Sequence, residues 1–588
     1  MTTTDLSRRS FIRTSLAASG GLMLGFHMPV AEAAKTEAKP WTTPTKGVEV
    51  NAWLTIDPDG TVTVRVPHTE MGQGGMTSVA LMIAEELDVE WSKVQAVFAD
   101  PNRHLRNNKE YKVMSTHGSQ LVWLQHPHIM QAGASARERL KEAAAQAWGV
   151  DRAKVEAKQG VLRAGDKTGT YAEFAAAAAN VKLAQEPAIK KAGDWWLLGK
   201  EHMRLDIPHK VDGSAQYAID TRIPGMVYAA VRACPTPWGA LKSFDFEAIK
   251  NRPGVIAAIE LKAQPGKRGQ PDMQNAVAVV ADSWYRAKTA LDLLPVEWDF
   301  GDAAKVSTAT LQEQARKTLG EKGLVTREDP KALEAVAAGK KVVSADYERP
   351  FEAHLRMEPI NATVHVQDDR VDVWSPTQDQ SVAILLVADQ LGRDPKDVYA
   401  HTMFLGGGFG GNGAGGTAVT RQAAELSRQL KRPVKVLWSR EEDVAQDKQR
   451  PMAAARLTAS LNDKGLPEAM VSRALWYSID KINQIGPATA DYGIRNNPYN
   501  IPLKHQERHN LDTHIPSSTH RAPGANQTGF MMESFVDEMA LAGGWNPLDW
   551  RIEMTKDKAD WQRVLKTLKE KSGYRTDLRR GEGMGVAA

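Results

Sequence analysis

The chain has 588 residues, of which 42% are hydrophobic and 25% are charged, so it is long enough for several soluble domains. Its formal net charge is only +4, and basic residues are interspersed with acidic ones, so no basic stripe points to a nucleic acid partner. The single cysteine, Cys234, excludes an intrachain disulfide and a cysteine-ligated iron–sulfur cluster. A lone cysteine is most often a small buried apolar residue.

The N-terminus has the pattern of an export signal. Ser-Arg-Arg-Ser-Phe-Ile-Arg at residues 7–13 precedes a weakly apolar run at residues 16–28 and a small-x-small segment at residues 31–33. This pattern is typical of twin-arginine signal peptides, with a Sec signal or a short membrane anchor as the alternative. We therefore expect a twin-arginine signal peptide over residues 1–33 and a linker over residues 34–47. No other segment reaches the ~18 consecutive apolar residues that a membrane-spanning helix needs.

The rest of the chain mixes strands and helices without a fixed repeat. Alternating residues predict strands at 50–56, 61–66, 225–231, 276–280, 363–366, 370–373 and 398–405. Helices are predicted at residues 76–87, 133–148, 381–391 and 417–430, and a charged, alanine-rich helical connector at residues 311–341. This mixture predicts an α+β fold in several layers.

Two glycine-rich segments, at residues 68–75 and 405–411, each follow a predicted strand and precede a predicted helix. Glycines let backbone amides approach an anionic group closely, and the helix N-terminus adds partial positive charge. Gly406, Gly408 and Gly411 also match the dinucleotide fingerprint, but its acidic residue, expected about 20 positions later, is missing. A phosphate or pterin cradle, a dinucleotide site and a plain surface loop all stay open here. Two such loops favour a large ligand that is held from both sides.

Further segments occur in a recognisable order along the chain. They are Asp-Ile-Pro-His-Lys-Val-Asp-Gly-Ser-Ala at 206–215, Arg-Met-Glu-Pro at 356–359, Ser-Pro-Thr-Gln at 375–378, Trp-Ser-Arg-Glu-Glu-Asp at 438–443 and Met-Glu-Ser-Phe-Val-Asp-Glu at 532–538. Together with the two glycine-rich loops, they resemble the large subunit of xanthine oxidase-type molybdenum hydroxylases. The loop with Gln73 precedes the hammerhead-like segment at 206–215. This is the permuted order of isoquinoline 1-oxidoreductase beta subunits and of exported aldehyde dehydrogenases of acetic acid bacteria.

The resemblance implies a multidomain α+β fold, that of a molybdenum-hydroxylase large subunit with a hammerhead domain, in permuted order. The implied domains are a permuted segment of the molybdopterin-binding domain at 48–195, a hammerhead domain at 200–310, a helical connector at 311–345 and a molybdopterin-binding domain at 346–588, incomplete at its C-terminus.

The resemblance also implies roles for individual residues. Gln378 would lie beside the molybdenum and its oxo ligand, Arg521 would face the substrate, and Glu358 would orient the substrate. The alternatives are a loop arginine paired to a carboxylate for Arg521, and a surface or salt-bridged glutamate for Glu358. The implied cofactor-binding residues are Gly72, Gln73, Gly74, Gly118, Ser119, Gln120, Gly407, Gly408, Phe409 and Gly410. His117 replaces a glycine that the family usually has.

The implied cofactor is molybdenum–molybdopterin, with the cytosine dinucleotide form as one option. Its dithiolene sulfurs would hold the molybdenum, so no side chain would ligate the metal. His505 and His509 lack an HExxH motif and a helical pattern, so zinc has little support. Because Cys234 is alone, 2Fe–2S clusters would lie on a small iron–sulfur partner subunit, with a cytochrome c subunit as electron acceptor. The expected location is the periplasm, with attachment to the inner membrane through a partner as an option.

The implied function is oxidation of aldehydes to carboxylic acids with water as the oxygen source, and N-heterocycle hydroxylation is the alternative. Family members need a base glutamate in a Gly-x-Gly-Glu segment near the C-terminus, whereas Glu582 lies in a different context within residues 580–588. We therefore expect either a separate C-terminal fragment that supplies this part, or a truncated, catalytically inactive relative or scaffold.

Overall fold

The computed structural model describes residues 46–265, 271–415, 417–478 and 491–588. The expected signal peptide and nearly all of the expected linker lie outside the described residues. The chain divides into two compact units. Unit 1 contains the residues up to His68 together with residues 74–114 and 119–214, and unit 2 contains residues 69–73, 115–118 and 215–588.

Unit 1 contains two small sheets and six α-helices among its described residues. Its strands are β1 (Val48–Asn51), β2 (Leu54–Ile56), β3 (Val62–Val66), β4 (Val94–Phe98), β5 (Glu156–Lys158), β6 (Val161–Ala164) and β7 (Lys167–Thr170). Its helices are α1 (Gly75–Leu87), α2 (Pro101–Arg106), α3 (Gln120–Trp123), α4 (His126–Trp148), α5 (Tyr171–Ala178) and α6 (Ile207–Val211). The strands pair as β1-β2-β3-β4 and β5-β6-β7.

The close packing of α1 and α4 depends on a glycine. A Cβ at Gly133 of α4 would lie 2.6 Å from the carbonyl oxygen of Ile83 in α1. Only a residue without a side chain lets the two helices approach this closely.

Unit 2 contains two larger sheets. Its strands are β8 (Val227–Ala233), β9 (Ala240–Phe244), β10 (Val255–Leu261), β11 (Gln264–Pro265), β12 (Pro271–Met273), β13 (Ala276–Ala281), β14 (Val296–Asp299), β15 (Leu324–Arg327), β16 (Val342–Arg349), β17 (Asn361–Val366), β18 (Val371–Trp374), β19 (Val398–His401), β20 (Val434–Leu437), β21 (Ala453–Leu461), β22 (Pro467–Ser478) and β23 (Leu503–Asp512). The larger sheets have the orders β10-β13-β8-β20-β17-β18-β19 and β15-β23-β22-β21-β16, and β9-β14 and β11-β12 are short pairs.

Unit 2 also contains ten α-helices among its described residues. They are α7 (Trp284–Leu293), α8 (Thr308–Leu319), α9 (Pro330–Ala338), α10 (Gln380–Leu391), α11 (Thr417–Leu430), α12 (Arg440–Ala445), α13 (Tyr492–Arg495), α14 (Ala525–Gly543), α15 (Pro547–Met554) and α16 (Ala559–Ser572). Helix α7 covers β13, which is buried at every position, and α14 joins one apolar core with β21 and β22. Each sheet therefore has its own core.

The predicted α+β class is confirmed, and most predicted elements are present. The helices predicted at 76–87, 381–391 and 417–430 begin and end within one residue of α1, α10 and α11. The predicted helix at 133–148 begins earlier, at His126, because Pro127 lies in the first turn, where a proline is tolerated. The predicted connector at 311–341 is not one helix, since β15 separates α8 from α9 and pairs with β23.

Two further predictions about elements need correction. The predicted strand at 50–56 is divided into β1 and β2, because the Asn51 side chain accepts a hydrogen bond of 2.9 Å from the Trp53 backbone N–H and turns the chain. The predicted strand at 398–405 ends at His401, where β19 ends. In the part of the chain that the structure covers, no helix has the length and apolar character needed to cross a membrane.

Candidate functional site

The glycine loop, residues 406–411, follows β19 in the chain and has an unusual backbone. Gly407 and Gly410 have φ angles of +106° and +107°, and Phe409 has a φ of +56°. Positive φ is uncommon for a residue with a bulky side chain and marks strain that the surrounding structure must hold. Left-handed residues that interrupt an ordinary backbone turn successive N–H groups toward one side. The loop therefore has the backbone shape of an anion-binding concavity.

Three successive N–H groups in this loop are free to bind a ligand. Within the described ranges, the backbone N–H groups of Gly407, Gly408 and Phe409 have no hydrogen-bond acceptor. Gly408 is buried, so its N–H is also largely shielded from water. A buried backbone donor without a partner is costly, and most such donors in folded proteins are satisfied. These three donors fit a ligand group that is rich in oxygen or negative charge.

Two side chains hold the ends of the glycine loop. A carboxylate oxygen of Glu358 accepts a 2.9 Å hydrogen bond from the Gly406 N–H, and the Glu358 N–H donates to the Gly406 carbonyl at 3.1 Å. At the other end, the amide oxygen of Gln378 accepts a 2.9 Å hydrogen bond from the Gly410 N–H. The end donors are thus used by the protein, while the central donors are left for a ligand.

Close packing explains why this loop is rich in glycine. A Cβ at Gly408 would lie 2.6 Å from the Met71 sulfur and 2.8 Å from the Gln378 amide oxygen. A Cβ at Gly410 would collide with the backbone carbonyl of Thr519. Side chains at these positions would fill the cradle or push its neighbours away.

The first loop, residues 69–73, packs against the same part of unit 2. The Leu405 N–H donates to the Glu70 carbonyl at 3.0 Å, directly before the glycine loop. The Thr69 hydroxyl donates to the Thr377 carbonyl at 3.0 Å, and the Thr69 N–H donates to the Thr116 hydroxyl at 3.0 Å. The two loops that sequence analysis selected, about 330 residues apart, are therefore neighbours in space.

Gln73 folds back on its own loop. Its amide oxygen accepts a hydrogen bond of 2.8 Å from the Met71 N–H, and its amide nitrogen donates to the Thr69 carbonyl at 2.8 Å. The side chain is exposed, so one proton on its nitrogen can still reach a ligand. Gly72 completes the turn, with its N–H donating to the Glu70 carboxylate at 2.8 Å.

Gln378 connects three segments of unit 2. Its amide nitrogen donates to the Thr116 carbonyl at 2.8 Å, while its amide oxygen accepts from Gly410. The Thr116 N–H donates to the Gln378 carbonyl at 2.7 Å, and the Gln378 N–H donates to the Asn412 carbonyl at 3.0 Å. The side chain is buried. It therefore fixes the distance between the 115–118 segment and the glycine loop.

Glu358 is buried, and its carboxylate accepts hydrogen bonds from backbone and amide N–H groups. Besides Gly406, it accepts hydrogen bonds of 3.0 Å from the Ile219 N–H and from the Asn361 amide nitrogen. Burial raises the pKa of the Glu358 carboxyl, although these N–H donors act in the opposite direction. Glu358 is not a surface residue, and no cation pairs with it in the described ranges. The Glu358 carboxylate therefore holds the start of the glycine loop in place.

The other predicted site residues are distributed over both units. Arg521 lies in unit 2, is exposed, and has no ion pair among the described residues. Gly118 also belongs to unit 2 and has a φ of +58°. Gly74, Ser119 and Gln120 belong to unit 1. The structure thus brings Gly72, Gln73, Gln378, Glu358 and residues 407–410 together in unit 2.

Sequence analysis missed a buried ionic network behind the glycine loop. The His354 Nδ1 lies 2.7 Å from a carboxylate oxygen of Asp447, and Arg356 pairs with Asp443 at 2.5 Å. A Cβ at Gly411 would collide with His354 and Arg356. Burial favours a raised pKa for Asp447, but the His354 hydrogen bond and the charge of Arg356 lower this pKa below its usual value. The only signal in the sequence was polar residues alternating with Leu355 and Met357.

His505 and His509 are both on β23, and they do not form a metal site in the described residues. The His505 Nε2 instead lies 3.1 Å from the Glu507 carboxylate.

Comparison with known proteins identifies the kind of domain that carries these loops. Two family models, each described as a molybdopterin cofactor-binding domain, match residues 23–213 and 313–554. The first loop lies in the first matched region, and the glycine loop and Gln378 lie in the second. Both loops thus fall within regions that match cofactor-binding domains.

Individual relatives extend over nearly the whole chain. A membrane-bound aldehyde dehydrogenase (pyrroloquinoline-quinone) of Gluconacetobacter polyoxogenes is 29% identical, over 94% of this chain and 72% of the relative. The isoquinoline 1-oxidoreductase subunit beta of Brevundimonas diminuta is 26% identical, over 100% of this chain and 80% of the relative. The solved aldehyde oxidoreductase of Desulfovibrio gigas is 18% identical with a TM-score of 0.50, over 69% of this chain. The chain spans 51% of that solved structure, which supports the fold alone.

The amide of Gln378 gives a pH-dependent test of the site's geometry. Gln378→Glu keeps an acceptor for Gly410 but places an ionised carboxylate against the Thr116 carbonyl, which should lower the free energy of unfolding by about 1–3 kcal/mol. Burial without a cation raises the pKa of the introduced carboxyl in the folded state above its value in the unfolded state. The loss should therefore shrink as the pH falls from about 8 to about 5, because the protonated carboxyl can donate to Thr116.

Thermal unfolding of the wild type and the variant across this pH range is the measurement. Gln378→Met is the control, since it removes both hydrogen bonds at every pH and its deficit should not change. A Gln378→Glu deficit that is absent, or that is independent of pH, would contradict the geometry.

Proposed function

This chain belongs to the large, molybdopterin-binding subunits of the xanthine oxidase family of molybdenum hydroxylases, and we propose that it oxidises aldehydes to carboxylic acids with water as the oxygen source. The observation that carries the proposal is that the successive N–H groups of Gly407, Gly408 and Phe409 have no acceptor among the residues that the structure describes. These residues lie inside a region that matches a molybdopterin cofactor-binding domain. The family is one of oxidoreductases, so the reaction class follows from membership. The aldehyde as substrate is our proposal.

The residues of this chain fit such a cofactor. When bound, the molybdopterin cofactor supplies a redox-active metal that takes two electrons from the substrate. The glycine loop would cradle its oxygen-rich metal end with Gly407, Gly408, Phe409 and Gly410, whereas Gly72 and Gln73 would contact the pterin. Gly118 would contact a nucleotide extension, for which the cytosine dinucleotide is one form. A side chain larger than hydrogen at Gly408 would fill this cradle.

Gln378 has hydrogen-bonding capacity left for this role. Its amide nitrogen carries two protons and uses one on the Thr116 carbonyl. The second proton can donate to an oxygen at the metal end of the cofactor. Fixed donors of this kind stabilise charge that develops in a transition state, because they need no reorganisation.

Phe409 and Arg521 are the groups we assign to the substrate. Both side chains are exposed in unit 2. The Phe409 ring would give an apolar surface for the carbon skeleton, and the Arg521 guanidinium would attract the carbonyl oxygen and the carboxylate product. Glu358 would act on the substrate only through the loop that it holds.

N-heterocycle hydroxylation is the second candidate, and it is supported by the relative named isoquinoline 1-oxidoreductase subunit beta. In both cases we propose that electrons leave to 2Fe–2S clusters on a small partner subunit and then to a cytochrome c subunit, since Cys234 is the only cysteine.

The test is cofactor analysis followed by assay of the chain purified with its partners. Molybdenum with a pterin nucleotide, and turnover of aldehydes with an artificial electron acceptor, is the expected result. Arg521→Ala should keep its molybdenum but lower kcat/KM by roughly 10- to 100-fold, because one charged hydrogen bond is lost. Arg563→Ala, an exposed arginine on α16, is the matched control and should leave kcat/KM unchanged.

Three other outcomes would overturn parts of this proposal. Pyrroloquinoline quinone in place of molybdenum would contradict the cofactor. Turnover of N-heterocycles but not of aldehydes would replace the substrate, and molybdenum without any turnover would favour an inactive relative or scaffold.

We also propose export to the periplasm by the twin-arginine route, with membrane attachment through a partner. The double substitution Arg8→Lys and Arg9→Lys should leave the chain in the cytoplasm with its first 33 residues uncut. Arg13→Lys, a nearby change outside the pair, should be exported normally. Cell fractionation and N-terminal sequencing measure both properties, and export of the double variant would contradict the route.

A further inference from the structure

The segment of residues 354–358 has an inverted distribution of polarity. The residues that point inward are polar, with His354, Arg356 and Glu358 exposed to only 3%, 2% and 9%. The residues between them are apolar and open, with Leu355 exposed to 60% and Met357 to 86%. Burying charged groups while apolar groups face solvent is costly. The buried side chains must therefore make contacts that offset this cost.

His354 makes contacts that a neutral ring cannot satisfy. Its Nδ1 lies 2.7 Å from a carboxylate oxygen of Asp447, and its Nε2 lies 3.0 Å from the backbone carbonyl oxygen of Thr519. Both partners can only accept a hydrogen bond. A neutral imidazole carries one proton, so one of its nitrogens would place a lone pair against an oxygen lone pair. Only the doubly protonated imidazolium donates to both.

The groups around His354 are compatible with one positive charge on its ring. The Asp447 carboxylate accepts a hydrogen bond from the His354 side chain and another, of 2.6 Å, from the His354 backbone N–H. The same carboxylate lies 3.3 Å from the Arg356 guanidinium, and Arg356 also pairs with Asp443. The ring of His520 stacks on His354 with centroids 4.8 Å apart.

His520 does not compete for the positive charge. Burial and the neighbouring His354 lower the pKa of His520 to about 4, so it is neutral near neutral pH. Glu352 and Arg450, which also face His520, form an ion pair with each other. His354 is thus the histidine in this stack whose two ring nitrogens both face acceptors.

The Thr519 carbonyl links His354 to both sides of the candidate site. This carbonyl packs directly against Gly410, where a Cβ would collide with it. Two residues later in the chain stands Arg521, which we assign to the substrate. A donor that holds the Thr519 carbonyl therefore sets the position of the arginine segment, residues 519–521, against the glycine loop.

We propose that His354 is a positioning residue, held as an imidazolium between Asp447 and Thr519, that places the arginine segment for substrate binding. Its effect on the substrate rests on the proposed function, whereas its protonation state does not. His354 itself does not touch the substrate.

His505 is a built-in comparison. It is also buried, but its Nδ1 accepts a 3.3 Å hydrogen bond from the Asp329 N–H, and its Nε2 donates to Glu507 at 3.1 Å. One neutral tautomer satisfies both contacts. The two buried histidines therefore differ in the protonation state that their surroundings require.

The first experiment measures protonation directly, by nitrogen NMR of the full chain labelled at histidine rings. Near neutral pH, His354 should show two protonated nitrogens, because both of its partners are acceptors, while His505 should show one. His354→Gln and His505→Gln identify the resonances by their loss. If His354→Gln does not fold, His520→Phe identifies the signal through the changed ring stacking. A neutral His354 at this pH would overturn the proposal, whether or not the chain binds molybdenum.

The second experiment measures positioning. Gln can donate to Asp447 or to Thr519 but not to both, so His354→Gln should raise the KM for the aldehyde about 3- to 10-fold and leave the molybdenum content unchanged. His354→Lys, which keeps a cation with several donors, should recover part of this loss. His505→Gln should leave KM unchanged. An unchanged KM in folded, molybdenum-loaded His354→Gln would overturn the positioning role.

Discussion

The backbone of residues 406–411 must be held in a left-handed shape while its central N–H groups stay unbound, and the rest of the candidate site depends on this constraint. Glu358 takes the N–H at Gly406, Gln378 takes the N–H at Gly410, and the Thr519 carbonyl lies where a side chain at Gly410 would be. These contacts thus hold the strained loop at Gly406 and at Gly410. The donors in the middle are then oriented before any ligand arrives, which is the condition for strong electrostatic binding.

The same constraint explains why buried charges lie behind the loop. A loop of glycines has few side chains with which to pack, so its position must be set by neighbours. His354 and Arg356 fill the space beside Gly411, and their charges are balanced by the carboxylates of Asp443 and Asp447. Breaking one partner of such a buried pair is usually far more damaging than losing a surface pair. Binding and support are therefore divided between backbone donors and buried side chains.

Sequence reasoning found the parts of the site whose residue type is unusual. Glycine runs between a strand and a helix indicate a specialised backbone shape, so both loops were selected from the sequence. Gln378 was selected through the resemblance to molybdenum hydroxylases, and it lies in unit 2 with residues 69–73 and the glycine loop. The network of His354 and Arg356 was not predicted, because charged residues in a sequence normally indicate positions that are exposed to solvent. Glu358 was proposed to act on substrate, but its use by the Gly406 and Ile219 N–H groups depends on contacts 48 and 139 residues away in the chain. Such long-range partners leave no local pattern.

The central claim is that the glycine loop holds molybdopterin through its backbone, and molybdenum content of Gly410→Ala tests it most directly. This change adds a Cβ where φ is +107° and where the Thr519 carbonyl lies, so the cradle cannot keep its shape. Gly529→Ala is the matched control, because its Cβ would meet open space within α14. We predict that both variants fold, that Gly529→Ala keeps its molybdenum, and that Gly410→Ala loses most of it. Equal molybdenum in the two folded variants would contradict the account.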